Sequence, residues 1–356
     1  MAYTTINKPT DYFNVVTWTG TSDSTTAVTG VGHQPDFIWI KNRDVQDDHM
    51  VYDAVRGGTK RIFTNSAGAE GTESQGIQSF DSDGFTTGSH RATGGDSGNT
   101  MVSWNWKAGT SFTNDASATG IGTIDSTGSS NQEAGFSIVS YTSNGSSNQS
   151  VAHNLGGVPE MIISKNRDSG SASYNYWTVY HHSLATANDK KLKLNTTDAA
   201  STTNEWGDTD PTSTVYSLHT SGDGTTNHST DKMISYCFRS IKGYSKFGSY
   251  TGNNSTNGPF IYCGFKPAWV LQKNTSITQG WQLQDNKRLG YNPDNYLLQP
   301  HTDQIESALQ RVDLLSNGFK VRTTDAGQNG SGNNYIYMAF AEHPFVSSTG
   351  TPTTAR

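Results

Sequence analysis

The sequence predicts an all-β protein made of three tandem homologous modules, each a β-sandwich with jelly-roll-like topology. Short apolar runs, rich in β-branched and aromatic residues, alternate with clusters of Gly, Asn, Ser and Asp, which is typical of strands joined by turns. One series of anchor residues also recurs three times along the 356 residues. Modules of about 100 residues with many short strands usually close as two-sheet sandwiches.

The repeat is defined by an aromatic residue, a proline and a lysine at nearly constant spacing. In the first copy these anchors are Trp18, Pro35 and Lys41. The aromatic residue precedes the proline by 17, 18 and 17 residues in the three copies, and the proline precedes the lysine by six in each. Such spacing indicates homologous copies. The other anchors are Tyr141, Pro159 and Lys165 in the second copy, and Tyr250, Pro267 and Lys273 in the third.

The predicted strands follow the same anchors. Each proline lies at the start of a strand, where its missing N–H costs least, and a glycine before it makes the turn. Sustained helical periodicity is absent from the sequence; residues 304–315 come closest, and one short helix is the most we expect there. The clearest strands are residues 13–18, 37–40, 136–141, 161–163, 269–271 and 335–340.

The anchors also set the predicted domain boundaries. Residues 113–134 contain mostly Ser, Thr, Gly, Asn and Asp, which predicts a linker or a long surface loop. Residues 346–356 contain little apolar content and predict a flexible tail. The three β-sandwich modules are expected at residues 12–112, 135–242 and 243–345.

Composition excludes several classes of function. The formal net charge is -6 and no basic block occurs, so we expect no nucleic-acid partner. The sequence has no membrane-length apolar window and no secretory signal, so we expect a soluble protein without membrane insertion. Cys237 and Cys263 are interpreted as free buried thiols, with a bridge between modules as the alternative.

The sequence predicts neither an enzyme nor a cofactor or metal site. Glycoside hydrolysis needs two neighbouring carboxylates, but the Glu residues are scattered without a shared motif. His181 and His182 are adjacent, yet neighbouring residues of a strand face opposite sides, which disfavours a metal site there. Residues 81–84 resemble the start of a calcium loop but lack its later ligands, which favours a turn.

Three clusters that mix aromatic and polar residues are candidate glycan contacts. An aromatic ring can stack on the apolar face of a sugar while amides and carboxylates bind its hydroxyls. The alternative is that these aromatics close the cores of small sandwiches. The candidates are Tyr174, Tyr176 and Trp177 in one cluster, Trp206, Asp208 and Asp210 in the next, and Tyr291, Asn292, Asp294 and Tyr296 in the last.

A Lys-Asn-Arg triplet recurs after the proline anchor in the first two copies, as residues 41–43 and 165–167. We expect it at the edge of a strand, where Lys discourages edge-to-edge pairing. A structural role, with the cation paired to a nearby Asp, is favoured over ligand binding. In the third copy the Arg is replaced by Thr275, which weakens the idea of a shared ligand site.

The repeated strings resemble the β modules of bacteriophage virion proteins, particularly those of marine phages. Residues 32–43 (GHQPDFIWIKNR), 243–252 (GYSKFGSYTG) and 335–345 (YIYMAFAEHPF) carry the resemblance. Proteins of this kind are called tail fibre, lectin-like or structural proteins. The resemblance implies a lectin-like β-sandwich module and no catalytic residues.

These observations favour a non-enzymatic virion surface protein, either a tail appendage or a capsid-decorating knob, that adheres to host glycans. Its expected partners are other virion proteins of the tail or capsid and a host surface glycan, and residues 1–11 are the expected docking peptide. Two alternatives remain open. The protein could be purely architectural, with three similar docking faces, or a free carbohydrate-binding or carbohydrate-degrading protein.

Overall fold

The computed structural model describes residues 4–168, 175–220, 226–288, 292, 296–309 and 311–344. Nearly all of its regular structure is β, in several antiparallel sheets, which confirms the predicted all-β class. Helical segments are limited to single turns in the described part of the chain. They are α1 (Ala116–Thr119) and the 3-10 turns Pro9–Asp11, Arg91–Thr93 and Ala187–Asp189.

The first copy of the repeat forms a large and a small sheet. Its strands are β1 (Phe13–Thr19), β2 (Thr25–Thr29), β3 (Phe37–Asn42), β4 (Met50–Asp53), β5 (Lys60–Phe63), β6 (Gly71–Thr72), β7 (Ile77–Asp81), β8 (Gly84–Gly88) and β9 (Thr100–Trp106). The large sheet has the order β1, β9, β3, β4, β5, β6, and the small sheet has the order β2, β8, β7.

The second copy, together with the segment before it, also forms a large and a small sheet. Its strands are β10 (Thr110–Asn114), β11 (Ser126–Asn131), β12 (Phe136–Thr142), β13 (Gln149–Ala152), β14 (Met161–Asn166), β15 (Trp177–His181), β16 (Lys190–Lys193), β17 (Ser201–Thr202), β18 (Val215–Leu218) and β19 (Lys232–Phe238). The large sheet runs β10, β11, β12, β19, β14, β15, β16, β17, and β13 pairs with β18.

The third copy forms a four-stranded sheet and two smaller sheets. Its strands are β20 (Ser245–Thr251), β21 (Phe260–Tyr262), β22 (Phe265–Asn274), β23 (Gln282–Asp285), β24 (Tyr296–Leu297), β25 (Ser307–Ala308), β26 (Val312–Leu315), β27 (Gly318–Val321) and β28 (Asn334–Pro344). The larger sheet has the order β20, β28, β22, β23; β21, β27 and β26 form a second sheet, and β24 pairs with β25.

One four-strand order is shared by all three large sheets. The strand with the aromatic anchor (β1, β12 or β20) pairs with the last strand of its copy (β9, β19 or β28), which we call the closing strand. The closing strand pairs with the strand that carries the lysine anchor (β3, β14 or β22), and that strand pairs with the next one along the chain (β4, β15 or β23). The register is also shared, because each aromatic anchor is opposite the first residue of a six-residue closing string in the closing strand, residues 101–106, 233–238 or 335–340. These pairs are Trp18 with Met101, Tyr141 with Met233, and Tyr250 with Tyr335.

Two segments differ from their sequence predictions. Residues 113–134 were expected to be a linker or a loop, but β10 and β11 pair there and extend the second large sheet. Their polar residues are compatible with strands because the backbone, rather than apolar side chains, supplies the pairing. The described part of residues 304–315 contains β25 and all of β26, where one short helix at most was expected. The predicted tail, residues 346–356, lies outside the described residues.

The described part of the amino-terminal segment packs against the protein. Thr4 and Ile6 are buried, and Ile6 belongs to the largest hydrophobic cluster. Pro9–Asp11 then makes one 3-10 turn before β1. Residues 4–11 are therefore part of the folded body, which differs from the docking peptide expected at residues 1–11.

The inner shared strands, such as β3 and β9, are buried on both faces, so they do not alternate between buried and exposed residues, whereas the outer strands β1 and β20 do. In β3, Ile38 and Ile40 pack towards the small sheet in a cluster that includes Phe85. Phe37 and Trp39, on the opposite face, belong to a larger cluster with residues of the other two copies. Each large sheet therefore contacts a small sheet on one side and the other copies on the other.

Three aromatic side chains from equivalent positions meet at the centre of the larger cluster. Each is the sixth residue of its closing string: Trp106, Phe238 and Phe340. Ring centroids are 6.5 Å apart for Trp106 and Phe238, 5.5 Å for Trp106 and Phe340, and 6.2 Å for Phe238 and Phe340. All three are at most 2% exposed. We call this group the aromatic triangle.

Candidate functional site

The three copies contact one another around the aromatic triangle through one repeated backbone hydrogen bond. In each case the N–H of a residue in one copy donates to the carbonyl of the residue that follows the Lys-Asn pair of the next copy. The contacts run from copy 1 to copy 2, from copy 2 to copy 3 and from copy 3 back to copy 1. They are Glu70 to Arg167 (2.8 Å), Ala200 to Thr275 (3.1 Å) and Glu306 to Arg43 (3.0 Å).

A buried network of charges lies at the interface of copies 1 and 2. Arg167 donates from Nε to Glu70 at 2.8 Å, and Arg56 donates to the same carboxylate at 3.1 Å. Arg56 also pairs with Asp53, and both side chains are 0% exposed. Tyr236 of copy 2 donates its hydroxyl to Asp53 at 2.7 Å. Every charge in this network therefore has a partner of opposite sign.

The electrostatics of Glu70 follow from these contacts. Burial on its own raises the pKa of a carboxyl, because it disfavours the charged form. At Glu70 the hydrogen bonds and positive charges of Arg167 and Arg56 outweigh burial and lower the pKa below its usual range. The carboxylate is therefore held in its charged form between the two guanidinium groups.

The interface of copies 3 and 1 repeats this network with different residues. Arg43 donates to Glu306 at 3.1 and 2.7 Å, and Arg288 donates to the same carboxylate at 2.9 Å. Arg288 also pairs with Asp285 at 2.8 Å. The indole N–H of Trp104 in copy 1 donates to Asp285 at 2.9 Å. Trp104 thus takes the role that Tyr236 has at the other charged interface.

The interface of copies 2 and 3 has no such network among the described residues. His181 is opposite Met161 in the register, as Asp53 is opposite Phe37. Its ring contacts the carbonyl oxygen of Tyr337 at 3.2 Å, and burial, assisted by the charge of His182, lowers its pKa to about 3. The other three network positions are also uncharged: Leu184 replaces Arg56 and Arg288, Ala200 replaces Glu70 and Glu306, and Thr275 replaces Arg167 and Arg43.

These small and neutral residues line a cleft of about 580 Å³. Leu184, Ala200 and Thr275 all belong to its walls. We call it the 2–3 cleft and consider it the candidate functional site. The other lining residues are Ser183, Ala185 and Lys190 from copy 2, and Ser249, Tyr250, Thr251, Ser276, Asn334, Tyr335 and Ile336 from copy 3.

The 2–3 cleft is polar but carries little charge. Hydroxyl and amide side chains dominate its copy 3 wall, and no carboxylate is among its lining residues. Its lining includes one cation, Lys190, whose Nζ donates to Thr202 at 2.6 Å and lies 4.0 Å from Asp189. Such a wall can exchange hydrogen bonds with a hydroxylated ligand, and its volume is in the range of small-molecule sites.

The repeated Lys-Asn pair is structural, although its contacts differ from those expected. Lys41, Lys165 and Lys273 lie on internal strands, not edge strands, and each ammonium donates to the carbonyl of the following Asn, at 2.6, 2.9 and 3.0 Å. Burial lowers the pKa of Lys165 to about 7. The Arg of the triplet pairs with a Glu of another copy rather than with an Asp.

Two of the predicted glycan contacts are interior residues. Trp177 and Trp206 are each 1% exposed. The indole of Trp177 donates to the carbonyl of Phe63 in copy 1 at 2.7 Å, and that of Trp206 donates to the carbonyl of Lys190 at 3.1 Å. Both residues therefore match the alternative interpretation, in which aromatics close the cores.

The remaining predicted contacts are dispersed over the surface or make local contacts. Tyr176 is half-buried under the ammonium of Lys193, at 3.6 Å from its ring centroid. Asn292 exchanges two hydrogen bonds with the backbone of Leu314. None of the predicted residues that the structure describes lines the 2–3 cleft. Asp208 and Asp210 are exposed, Tyr296 is half-buried in β24, and Tyr174, Tyr291 and Asp294 lie outside the described residues.

The described residues bring together no group of three or more His, Cys, Asp or Glu side chains that could hold a metal. His181 is fully buried, whereas His182 is exposed, as expected for neighbours on a strand end. Both cysteines are free and buried. No helix in the described part of the chain is long and apolar enough to span a bilayer.

The sequence contained one signal for the 2–3 cleft. The loss of Arg from the third triplet, at Thr275, marks the interface where the network is missing. Leu184 and Ala200 carried no signal of their own, because their importance depends on which residues they replace. The origin of the cleft, in the replacement of these residues, is evident only when the three interfaces are compared.

These features define the chain as an all-β protein of several antiparallel sheets with one shared core. A model of the family described as Domain of unknown function (DUF7483) matches residues 8–344. The chain therefore belongs to this family, whose match extends over all three copies of the repeat. Neither the curated proteins nor the solved structures contain a significant match.

Proposed function

We propose that the chain is a non-enzymatic surface protein of a bacteriophage particle, built from three tandem β-sandwich modules in a closed pseudo-threefold ring. The aromatic triangle carries the proposal, because three equivalent side chains meet at one point. The repeated backbone hydrogen bonds of the three interfaces support it, since they run from each copy to the next and return to the first. A ring of this kind closes on itself, as cyclic oligomers do.

A closed pseudo-threefold body is suited to display on a particle. Its rotational repetition offers similar surfaces to three neighbours, which matches the threefold positions of a capsid or a trimeric tail appendage. The resemblance of residues 32–43, 243–252 and 335–345 to phage virion modules points to the same setting. The polar, weakly charged composition, with 16% charged residues, agrees with exposure outside a particle.

Adhesion to a host glycan is the second part of the proposal. The 2–3 cleft supports it, because this cleft combines hydroxyl and amide side chains from two copies. The burial of Trp177 and Trp206 moves the expected contact away from the clusters that the sequence suggested. The cleft occurs once per chain, so one chain offers one such site among its three interfaces in the described structure.

Localisation on purified particles tests the proposal. An antibody against the full chain, detected with gold in electron microscopy, is expected to label either the tail or the capsid surface. Label at the tail tip would make host attachment the principal role, and label over the capsid would make the protein a decoration protein. Particles without label, made by a host in which the protein is detectable, would overturn the virion assignment.

A further inference from the structure

The 2–3 cleft occupies the space that buried charges fill at the other two interfaces. Arg56 and Arg288, the counterparts of Leu184, are 0% exposed at their side chains. Glu70 and Glu306, the counterparts of Ala200, are 12% and 8% exposed. Replacing these long side chains by shorter ones opens the cleft between two sheets that keep the same backbone contact.

The replacements at this interface are coordinated. Loss of one charged residue would leave its partner buried without a counter-charge, which costs about 3–5 kcal/mol. Instead Leu184, Ala200 and Thr275 replace all three members of the Arg-Glu-Arg contact, and His181 replaces the fourth position with a neutral ring. The interface therefore has no buried, unpaired charge at these four positions. The open volume results from the replacement of the whole network and not from the loss of one charged residue.

The opened volume is bordered by groups suited to bind a sugar. A packing defect in a protein core is lined by apolar side chains. Here exposed Ser249, Thr251 and Asn334 of copy 3 border the cleft, and Ser183 of copy 2 lies on its opposite wall. Side chains of this kind donate and accept hydrogen bonds, as the hydroxyls of a saccharide require.

We propose that the 2–3 cleft binds a neutral saccharide, which takes the place of the missing ion-pair network between copies 2 and 3. The ligand is uncharged because the cleft has no carboxylate and its cation, Lys190, already contacts Thr202 and lies near Asp189. Contacts to both copies would join them as Glu70 and Glu306 join the other pairs. This inference deepens the proposed glycan adhesion and rests on it.

Binding by the full chain to an array of neutral and uronic-acid-containing oligosaccharides tests the inference. The variant His181→Asp/Leu184→Arg/Ala200→Glu/Thr275→Arg places the four charged residues of the other interfaces inside the cleft. We expect it to lower the affinity for neutral glycans at least tenfold while the melting temperature stays equal or rises. Because four substitutions could impair folding, Ser249→Tyr, at an exposed wall position, blocks the cleft independently and is expected to have the same effect on binding.

The double variant Asp208→Ala/Asp210→Ala is the matched control. It alters exposed residues of a sequence-predicted cluster outside the cleft, so binding is expected to remain unchanged. Binding that survives both cleft variants, binding to acidic glycans alone, or no binding to the array would each overturn the inference. Particle labelling by the antibody is independent of these results, so a failed glycan site and a failed virion assignment are separately visible.

Discussion

The charged interfaces and the neutral interface join the same backbone in two different ways. At the charged interfaces a central Glu lies between two Arg side chains, and Trp104 or Tyr236 completes the pairing of a buried Asp. At the neutral interface Ala200 and Thr275 keep the backbone hydrogen bond alone. The comparison shows that the backbone contact is common to all three interfaces, while the side-chain network is present at two of them.

The energetic lesson is that buried charges must be removed together. A complete buried network is weak evidence for stability, since its desolvation offsets much of its attraction, but an incomplete network is strongly destabilising. The neutral interface therefore needs only modest compensation for the loss of all its charges. Its cost lies mainly in the cleft, where sheet residues lose packing partners.

The aromatic triangle is common to all three interfaces, and its disruption should have the largest effect. We expect Trp106→Ala to lower the free energy of unfolding by about 4 kcal/mol, because a large buried side chain leaves a cavity. Urea denaturation followed by circular dichroism measures the change. Trp106→Phe, which places in copy 1 the residue that copies 2 and 3 carry, is the matched control and should cost less than about 1.5 kcal/mol. A loss below about 1 kcal/mol for Trp106→Ala would show that the copies do not depend on the triangle.

Removal of the central Glu tests the network that the charged interfaces have and the neutral interface lacks. Glu70→Ala leaves Arg56 and Arg167 with a single carboxylate between them, so the free energy of unfolding should fall by about 3 kcal/mol. Glu306→Ala should behave alike, because Arg288 and Arg43 are left in the same state. Asp11→Ala removes an exposed pair with Lys8 and should change stability by less than about 1 kcal/mol. Equal effects of Glu70→Ala and Asp11→Ala would show that the buried network contributes no more than an exposed ion pair.

Hydrogen exchange sharpens the comparison without any substitution. The N–H groups of Glu70, Ala200 and Glu306 make the same contact, but only Ala200 borders a cleft. Its amide should exchange about tenfold faster than the other two, a difference of about 1.4 kcal/mol in opening free energy. Mass spectrometry of peptides that contain each residue measures the rates. Equal protection of all three would show that the neutral interface is as tightly closed as the charged ones.

The buried lysines predict a pH dependence of stability to which all three copies contribute. The pKa of Lys165 is about 7 in the folded state because of burial, below the 10.5 of an exposed lysine. Between these values the unfolded chain binds more protons, so the free energy of unfolding should rise as pH increases from about 7 to 9, by on the order of 1 kcal/mol. Deprotonation of unfolded Cys237 opposes the rise above that range, because burial raises the pKa of its thiol in the folded state.

The variant Lys165→Met tests this pH effect, since it keeps the length of the side chain and removes the titrating group. Melting temperatures between pH 7 and 9 should rise less steeply in the variant than in the parent protein. Lys273→Met is the matched comparison at the neutral interface, because Lys273 also donates across it to the carbonyl of Thr197 at 3.2 Å. A parent slope that Lys165→Met leaves unchanged would exclude this lysine as its source.

The sequence was sufficient for the all-β class and for the alignment of the three copies. Constant spacing of Pro35, Pro159 and Pro267 aligned the copies, and the same alignment identified the closing strings that contain Trp106, Phe238 and Phe340. Local patterns are informative here because each string forms one strand. The polar strands β10 and β11 were missed because their composition is that of a loop, and only pairing with β12 makes them strands.

The candidate site could not be predicted from the sequence, because the residues of the Arg-Glu-Arg contact are far apart and irregularly spaced along the chain. The Glu that meets Arg56 is 14 residues away, whereas the Glu that meets Arg288 is 18 residues away. No fixed motif links these positions, so Ala200 could not be recognised as their counterpart. Trp206 was grouped with Asp208 and Asp210 because they are close in the sequence. Both Asp side chains are exposed, but the Trp206 ring is buried.

The return of the contacts from copy 3 to copy 1 has an evolutionary consequence. In a trimer of identical chains every mutation appears at all three interfaces, so a substitution that opens one would open the others as well. A single polypeptide that carries three copies of the repeat lacks this coupling. Two interfaces can keep their ion pairs, Arg43 with Glu306 and Arg167 with Glu70, while Thr275 and Ala200 alone change at the third. One interface of the chain can therefore change while the other two keep their charged networks.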